Sequence, residues 1–373
     1  MKRIQTQYII NDLSKKMVFL VGPRQVGKTY VAKQIAKEFE KSVYLNYDNL
    51  EDKKIIEAQS WLESTDLLIL DELHKMPAWK NYLKGLYDTK TKQLQILVTG
   101  SARLDIFDKI GDSLAGRYFL HRLLPLSPAE LHQLGKPVEI ETLLTRGGFP
   151  EPYLAENDLE ANRWRLQYSN SILATDVFEF DQVQNIKALK TIFELLRTKI
   201  GSPISYQSLS EDVAISPNTV KKYIEILEAL YIIFRITPFS KNIARSLLKE
   251  PKIYFFDNGL VKGDEGAQLE NLVAVSLLKY VYGKIDYHAE DYTLHYLRNK
   301  EGQEVDFALI KDGNIEEIIE VKNTSKEISK SLYAFHKKYA FPASQIVKIL
   351  RNDRRVENIK VINAATFLSD LTL

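Results

Sequence analysis

The chain of 373 residues has no cysteine. That excludes disulfides, thiolate metal sites and a cysteine nucleophile, and it fits a reducing compartment such as the cytoplasm. Net charge is also scarce: 51 Lys and Arg against 49 Asp and Glu leave +2. So close a balance implies no nucleic-acid partner by itself, and any basic surface has to be local. No apolar run approaches the ~20 residues that span a bilayer, so no membrane partner is expected. Residues 1–14 carry scattered charge without an apolar core, so no signal peptide is expected either. Internal repeats and low-complexity tracts are missing. What is there is an ordinary globular composition, 45% hydrophobic and 27% charged, in a chain long enough for two or three domains.

Residues Gly22-Pro23-Arg24-Gln25-Val26-Gly27-Lys28-Thr29 read G-x-x-x-x-G-K-T, the spacing of a phosphate-binding P-loop. Gly22 and Gly27 permit positive φ and let the backbone approach a polyphosphate with no Cβ in the way. The N–H groups of the loop and of the following helix point at the anion. Lys28 supplies a cation for the β- and γ-phosphates, and the Thr29 hydroxyl a ligand for Mg2+. The apolar run Met17–Val21 predicts a buried strand leading into the loop. Val31, Ile35 and Phe39, four apart, predict a helix leading out.

Three more apolar segments, Val43–Tyr47, Leu67–Leu70 and Leu94–Val98, alternate with helical patterns. This order predicts a parallel sheet with helices on both faces and a ligand at the carboxyl ends of its strands. The third segment runs into Asp71-Glu72. Asp71 is the candidate to hold Mg2+ through water, and Glu72 the candidate to activate the attacking water. The fourth ends Val98-Thr99-Gly100-Ser101, where a polar residue either meets the γ-phosphate or caps the next helix. Arg117 and Arg122 are candidates for the arginine that phosphoryl transfer often uses, and each also reads as a surface ion pair.

The runs GPRQVGKT at 22–29, LLILDELHK at 67–75, LVTGSARL at 97–104 and SLAGRYFLHRLLPLSPAEL at 113–131 resemble the prokaryotic and archaeal AAA+-type ATPase family. In that family an ATPase domain precedes a C-terminal region of unknown function. The Arg146-Gly147-Gly148-Phe149-Pro150-Glu151 run resembles the family's handover to the next module. The resemblance implies ATP and Mg2+ as cofactors, a catalytic set of Lys28, Glu72 and Arg117, and a site that works with a neighbouring subunit or module, hence a homo-oligomer.

Gly135, Pro137, Gly147, Gly148, Pro150 and Pro152 mark a hinge region. Residues 158–180 and 186–200 then read as helices. Ser205–Val213 predicts a short helix, Ala214–Ser216 a turn, and Pro217, with Ser216 as cap, the start of a helix to Leu230. Val220, Tyr223, Ile224, Leu227 and Leu230 form its apolar face. With a strand over Tyr231–Ile236 this is a winged-helix pattern. Asn218, Thr219, Lys221 and Lys222 lie on its outer side and suit contacts to DNA, with Lys241, Arg245 and Lys249 adding positive charge nearby. A protein-binding module or lid fits the same pattern.

From Pro251 onward the pattern is a strand at Lys252–Phe256, a helix over Gln268–Tyr282 and three strands at Tyr292–Leu297, Glu304–Ile310 and Ile315–Val321. A helix over Ser329–Tyr339 and a strand at Gln345–Leu350 follow. Asp312-Gly313 predicts a hairpin turn. Glu270, Asp306, Glu320 and Lys322 make an E…D…ExK pattern that resembles the PD-(D/E)xK nuclease fold. The resemblance implies that Asp306 and Glu320 hold Mg2+, that Lys322 activates water and that Glu270 assists. Cutting, DNA binding without cutting, and a hairpin with a charged wet face all remain open. The expected organisation is an α/β AAA+-like P-loop NTPase domain over 1–134 and a helical lid and winged helix over 135–248. An α+β restriction-endonuclease-like domain over 249–373 completes it. ATP, DNA and a protein partner are the ligands to look for.

Overall fold

The computed structural model describes residues 2–100, 114–174, 183, 185–240, 249–324 and 327–372. Ser101, Gly111 to Ser113, Lys241 and Arg245, and the 175–180 end of the helix expected over 158–180, lie outside the described residues. The chain divides into two compact units, Met1–Leu124 with Ala229–Tyr231, and Pro125–Glu228 with Ile232–Leu373.

In the first unit, helix α1 (Gln5–Leu13) leads to β1 (Met17–Val21), and α2 (Lys28–Ala36) to β2 (Ser42–Asn46). Helix α3 (Leu50–Ala58) precedes β3 (Leu67–Asp71), and α4 (Trp79–Thr89) precedes β4 (Gln95–Thr99). The four expected strands are present, each within about a residue of its apolar run. A fifth, β5 (Tyr118–Arg122), is half-buried at the sheet edge, which is why no apolar run announces it. The order is β2-β3-β4-β1-β5, with every neighbouring pair parallel. β1 and β3 are buried along their whole length, so both are apolar at successive positions instead of alternating. Phe19, Leu68, Leu70, Leu83, Ile96 and Val98 pack together in one core. The chain crosses from one side of β1 to the other, and ligands of such sheets bind at the carboxyl ends beside that crossover.

The second unit opens with helices, among them Asp158–Ala174 and Ile186–Arg197. Helices Tyr206–Val213 and Pro217–Ala229 follow, joined by a turn in which Ala214 has φ +55. Ser216 caps the second of them by accepting from the Thr219 N–H at 3.1 Å. Val220, Tyr223, Ile224 and Leu227 are buried, as the periodicity requires. Strand β6 (Ile233–Ile236) then pairs antiparallel with β7 (Lys252–Phe255).

The long helix Glu265–His288, capped by Asp264, leads into a six-stranded sheet. Its strands are β8 (Tyr292–Arg298), β9 (Glu304–Lys311), β10 (Asn314–Lys322), β11 (Ala343–Val347), β12 (Arg354–Val356) and β13 (Ile359–Asn363), in the order β12-β13-β11-β10-β9-β8. β8, β9 and β10 are antiparallel, while β11 is parallel to β10 and to β13. Asp312 at φ +50 and Gly313 at φ +75 form the β9–β10 turn, the two positive angles that a tight hairpin turn needs. Helix Lys330–Tyr339 covers one face, with Leu332 and Phe335 packed on Val305, Ala308 and Ile318.

Candidate functional site

The P-loop starts where β1 ends. Gly22 has φ +148, and a Cβ there would lie 2.1 Å from the Leu123 carbonyl oxygen. The backbone beyond β5 therefore presses directly on the loop, and only glycine fits. Gly27 turns the chain at φ +99 into α2. A residue the sequence did not single out completes the support. Arg3 is buried and donates to the Val26 carbonyl at 3.0 Å and to the Leu124 carbonyl at 2.6 Å. One guanidinium thus ties the loop to the end of β5. Nothing in the spacing of Arg3 to the loop signals that role.

Lys28 is buried, and its Nζ donates to the carbonyls of Gly22 at 2.9 Å and Pro23 at 2.7 Å. Burial lowers its pKa to about 8 against the opposing pull of Glu72 and Asp71. Asp71 ends β3 and gathers three hydroxyls. Thr99 donates to Oδ1 at 2.5 Å, and Tyr44 and Thr29 donate to Oδ2 at 2.5 and 3.1 Å. Register explains the set. Thr99 ends β4, which lies between β1 and β3 and pairs Thr99 with both Leu20 and Asp71. Tyr44 on β2 comes from the other side. Thr29 and Asp71 were expected together; Tyr44 was not, because its strand position becomes informative only once β2 is known to lie beside β3.

Glu72 follows in a left-handed conformation, φ +55, with its N–H shared between the Thr99 carbonyl and Asp71 Oδ1. Its carboxylate lies 3.6 Å from His74 Nε2 and 3.8 Å from Lys75 Nζ. Burial, and then the Asp71 charge, raise its pKa, with Lys75 and Lys28 opposing. A carboxylate whose proton affinity is raised suits the general-base role. Thr29 and Asp71 bring two hard oxygen donors together, which fits Mg2+ completed by phosphate oxygens and water. Among the described residues, no group of three or more His, Asp or Glu is arranged to hold a metal alone. This site's Mg2+ would therefore arrive with the nucleotide.

The two arginines lie at opposite ends of β5. Arg122 pairs with Val21, next to the loop. Arg117 precedes β5, its carbonyl accepting from the Met17 N–H, and its guanidinium grips Asp88 at 2.9 and 3.1 Å. That is the amino end of a parallel strand pair, ~16 Å from the carboxyl end by strand rise alone. Arg117 cannot reach this chain's own γ-phosphate.

In the second unit, Asp306, Glu270, Glu320 and Lys322 lie around one end of β9 and β10. Asp306 Oδ2 accepts from the Val321 N–H at 2.9 Å, and Lys322 Nζ is 2.8 Å from Glu320 Oε1. Three residues the motif did not include, Lys252, Tyr254 and Glu304, join them. Lys252 Nζ lies 2.8 Å from Glu304, 3.5 Å from Asp306 and 3.6 Å from Glu270, and Tyr254 donates to Glu270 at 2.7 Å. The carboxylates expected to hold Mg2+ face an ammonium instead, and as they stand they do not fit a divalent ion.

Comparison with known proteins adds the family context. Residues 14–132 match the profile of a family described as an AAA domain. Residues 138–265 and 265–367 each match a domain of unknown function, DUF8612 and DUF4143. An uncharacterised protein of Mycobacterium tuberculosis is 25% identical over 246 residues, 66% of this chain and 55% of that protein, so the chain spans about half the length of this relative. An uncharacterised protein of Methanocaldococcus jannaschii is 25% identical over 367 residues, covering 87% of this chain and 80% of that protein. Among solved structures, a Walker-type ATPase of Pyrococcus abyssi aligns at TM-score 0.44 with 14% identity, over 69% of this chain and 93% of that one. Among the described residues no helix is long and apolar enough to cross a membrane. The family match, the G-x-x-x-x-G-K-T loop and the five-stranded parallel sheet agree: the chain carries an AAA-type P-loop ATPase domain, followed by regions of unknown function.

Proposed function

We propose that this ATPase is a Mg2+-dependent, ATP-controlled DNA-binding switch of the cytoplasm. In this reading residues 1–134 form the ATPase domain, 135–248 a lid and winged helix, and 249–373 a nuclease-like domain that binds without cutting. ATP–Mg2+ sits on residues 22–29. Lys28 leaves the Gly22 and Pro23 carbonyls for the β/γ-phosphates, Thr29 and Asp71 hold Mg2+, and Glu72 activates water. The observation that carries the ATPase half is the convergence of Thr29, Tyr44 and Thr99 on Asp71, with Glu72 beside it.

Two surfaces support DNA as the partner. Asn218, Lys221 and Lys222 are exposed on the second helix of the helix-turn-helix, the element that enters the major groove in that motif. An open cleft of about 720 Å³ is lined by Lys249, Arg298, Lys300 and Lys338, by the acids Glu250 and Glu301 and by the exposed Tyr339, an excess of cations for phosphate with one aromatic face for a base. The ion-paired acids of the six-stranded sheet favour holding over cutting. Arg117 enters this reading only as an arginine given to a neighbouring copy.

One preparation tests the proposal. ATPase activity, DNA cleavage and anisotropy with single-stranded, double-stranded and branched DNA are measured on the wild type, Glu72→Gln and Lys221→Glu/Lys222→Glu. We expect Glu72→Gln to bind ATP, hydrolyse it poorly and lock the DNA affinity in its ATP form. The double charge reversal should weaken DNA binding and flatten its salt dependence. DNA affinity indifferent to ATP in every variant would sink the switch. ATPase activity per molecule should rise with protein concentration, and a constant value removes Arg117 from catalysis.

A further inference from the structure

The acids of the six-stranded sheet already have a cation, and it belongs to the chain. Lys252, the first residue of β7, is 0% exposed. Its ammonium is surrounded by Glu304 at 2.8 Å, Asp306 at 3.5 Å and Glu270 at 3.6 Å, and lies 5.4 Å from the centre of the Tyr296 ring. These groups come from β7, β8, β9 and the long helix Glu265–His288, so the convergence is a product of the fold and not of one local segment. Gly201 packs so tightly over Glu270 that a Cβ would meet Oε2 at 2.5 Å.

We propose that Lys252 is the resident cation of this carboxylate cluster, standing where a divalent metal would be held, so that the sheet takes no Mg2+ while Lys252 is in place. Three facts carry this. First, Mg2+ needs oxygens at ~2.0–2.1 Å around a common centre, and the space common to Glu270, Glu304 and Asp306 is filled by the lysine. Second, other oxygens of the cluster are engaged, with Glu320 Oε2 the exception, buried and without a hydrogen-bond partner among the described residues. Asp306 Oδ2 accepts from the Val321 N–H, Glu270 Oε1 accepts from Tyr254, and Glu320 Oε1 meets Lys322. Third, the charges are close to balanced without a metal. Lys252, Lys322 and Arg298, the last 4.0 Å from Glu304, face four carboxylates. Lys252 also ties β7, and with it the β6–β7 pair, to the six-stranded sheet by charge.

The inference deepens the non-cutting reading above and is independent of whether DNA is the partner. It is tested on the full chain without nucleotide, by Mn2+ titration followed by electron paramagnetic resonance and by thermal melting with and without Mn2+. We expect the wild type to bind no Mn2+ and to melt at the same temperature in its presence. Lys252→Met should melt lower, bind Mn2+ and recover part of the loss when Mn2+ is added, and Asp306→Asn in that background should abolish the recovery. Wild-type Mn2+ binding that disappears in Asp306→Asn overturns the proposal, and so does a folded Lys252→Met that ignores Mn2+. If Lys252→Met does not fold, the wild-type and Asp306→Asn titrations decide alone. A protein that hydrolyses ATP and ignores DNA would refute the DNA partner and leave this result standing.

Discussion

Among the buried lysines of the described residues, Lys28 and Lys252 are buried for opposite reasons. Lys28 sits in the P-loop of the first unit against two carbonyl oxygens, with its pKa lowered to about 8 by burial. Lys252 sits in the second unit among three carboxylates, with its pKa raised because those charges outweigh burial. A carbonyl dipole compensates an ammonium partially; a carboxylate does so fully. Lys28 is therefore a cation lacking its anion, poised to exchange carbonyls for phosphates. Lys252 has its anions and has nothing to gain from a ligand. The same side chain marks a binding site in one unit and a charge-paired cluster in the other, and the neighbouring charges tell which.

The comparison is broken most readily by removing each lysine. Lys28→Ala should lower ATP turnover by about 10²–10³-fold or more, since it takes away a donor aimed at transition-state charge. The melting temperature should fall only slightly, because the partners left behind are two carbonyls and not paired charges. Lys252→Met should do the reverse, costing about 3–5 kcal/mol of stability by leaving buried carboxylates uncompensated. ATP turnover per folded molecule should stay near wild type. Steady-state kinetics beside urea denaturation reads both, and equal stability losses in the two variants would erase the distinction.

A weaker effect tests the support of Asp71. Tyr44→Phe removes one of three hydroxyls on a carboxylate, and about a tenfold fall in turnover with a raised Mg2+ requirement is expected. An unchanged Mg2+ dependence would make Tyr44 a packing residue only. The last test sharpens the comparison through pH. Lys28 is held protonated by phosphate once ATP is bound, whereas in the free protein it loses its proton above about 8. Apparent Kd for ATP should thus be flat below that value and rise by about tenfold per pH unit above it. Calorimetry across pH 7 to about 9.5 would show this as proton uptake on binding, and its absence in Lys28→Ala assigns it.

Glu270 gives the matching signature for the second unit. Its pKa is raised above the ordinary 4.5 to about 7, so between those values the folded chain binds more protons than the unfolded one. Stability contributed by this group is then greatest below about 4.5 and is lost as pH rises through about 7. Glu270→Gln should remove that downward slope from a series of denaturation curves, and a slope left intact would assign it to another group.

Much of this was legible in the residues. The four apolar runs fell on β1 to β4, the Pro217 helix began where its cap and proline said, and the Asp312-Gly313 turn took the two positive angles that such a pair adopts. Each of these is set by local sterics or by the two periodicities of a half-buried element. The edge strand β5, the Arg3 brace, the Tyr44 hydroxyl and the Lys252 ammonium were not legible. Each depends on which segments become neighbours.

By itself, then, the sequence determined the P-loop, the acidic pair Asp71-Glu72 and the alternation that makes a parallel sheet, because those features act within one strand–loop–helix unit. Only the tertiary structure decided the strand order that brings Thr99 and Tyr44 onto Asp71 and puts Arg117 at the far end. It also decided that a lysine 54 positions before Asp306 enters the E…D…ExK cluster. Charges act through space and not along the chain, so a motif shows which acids are present but not which cation reaches them.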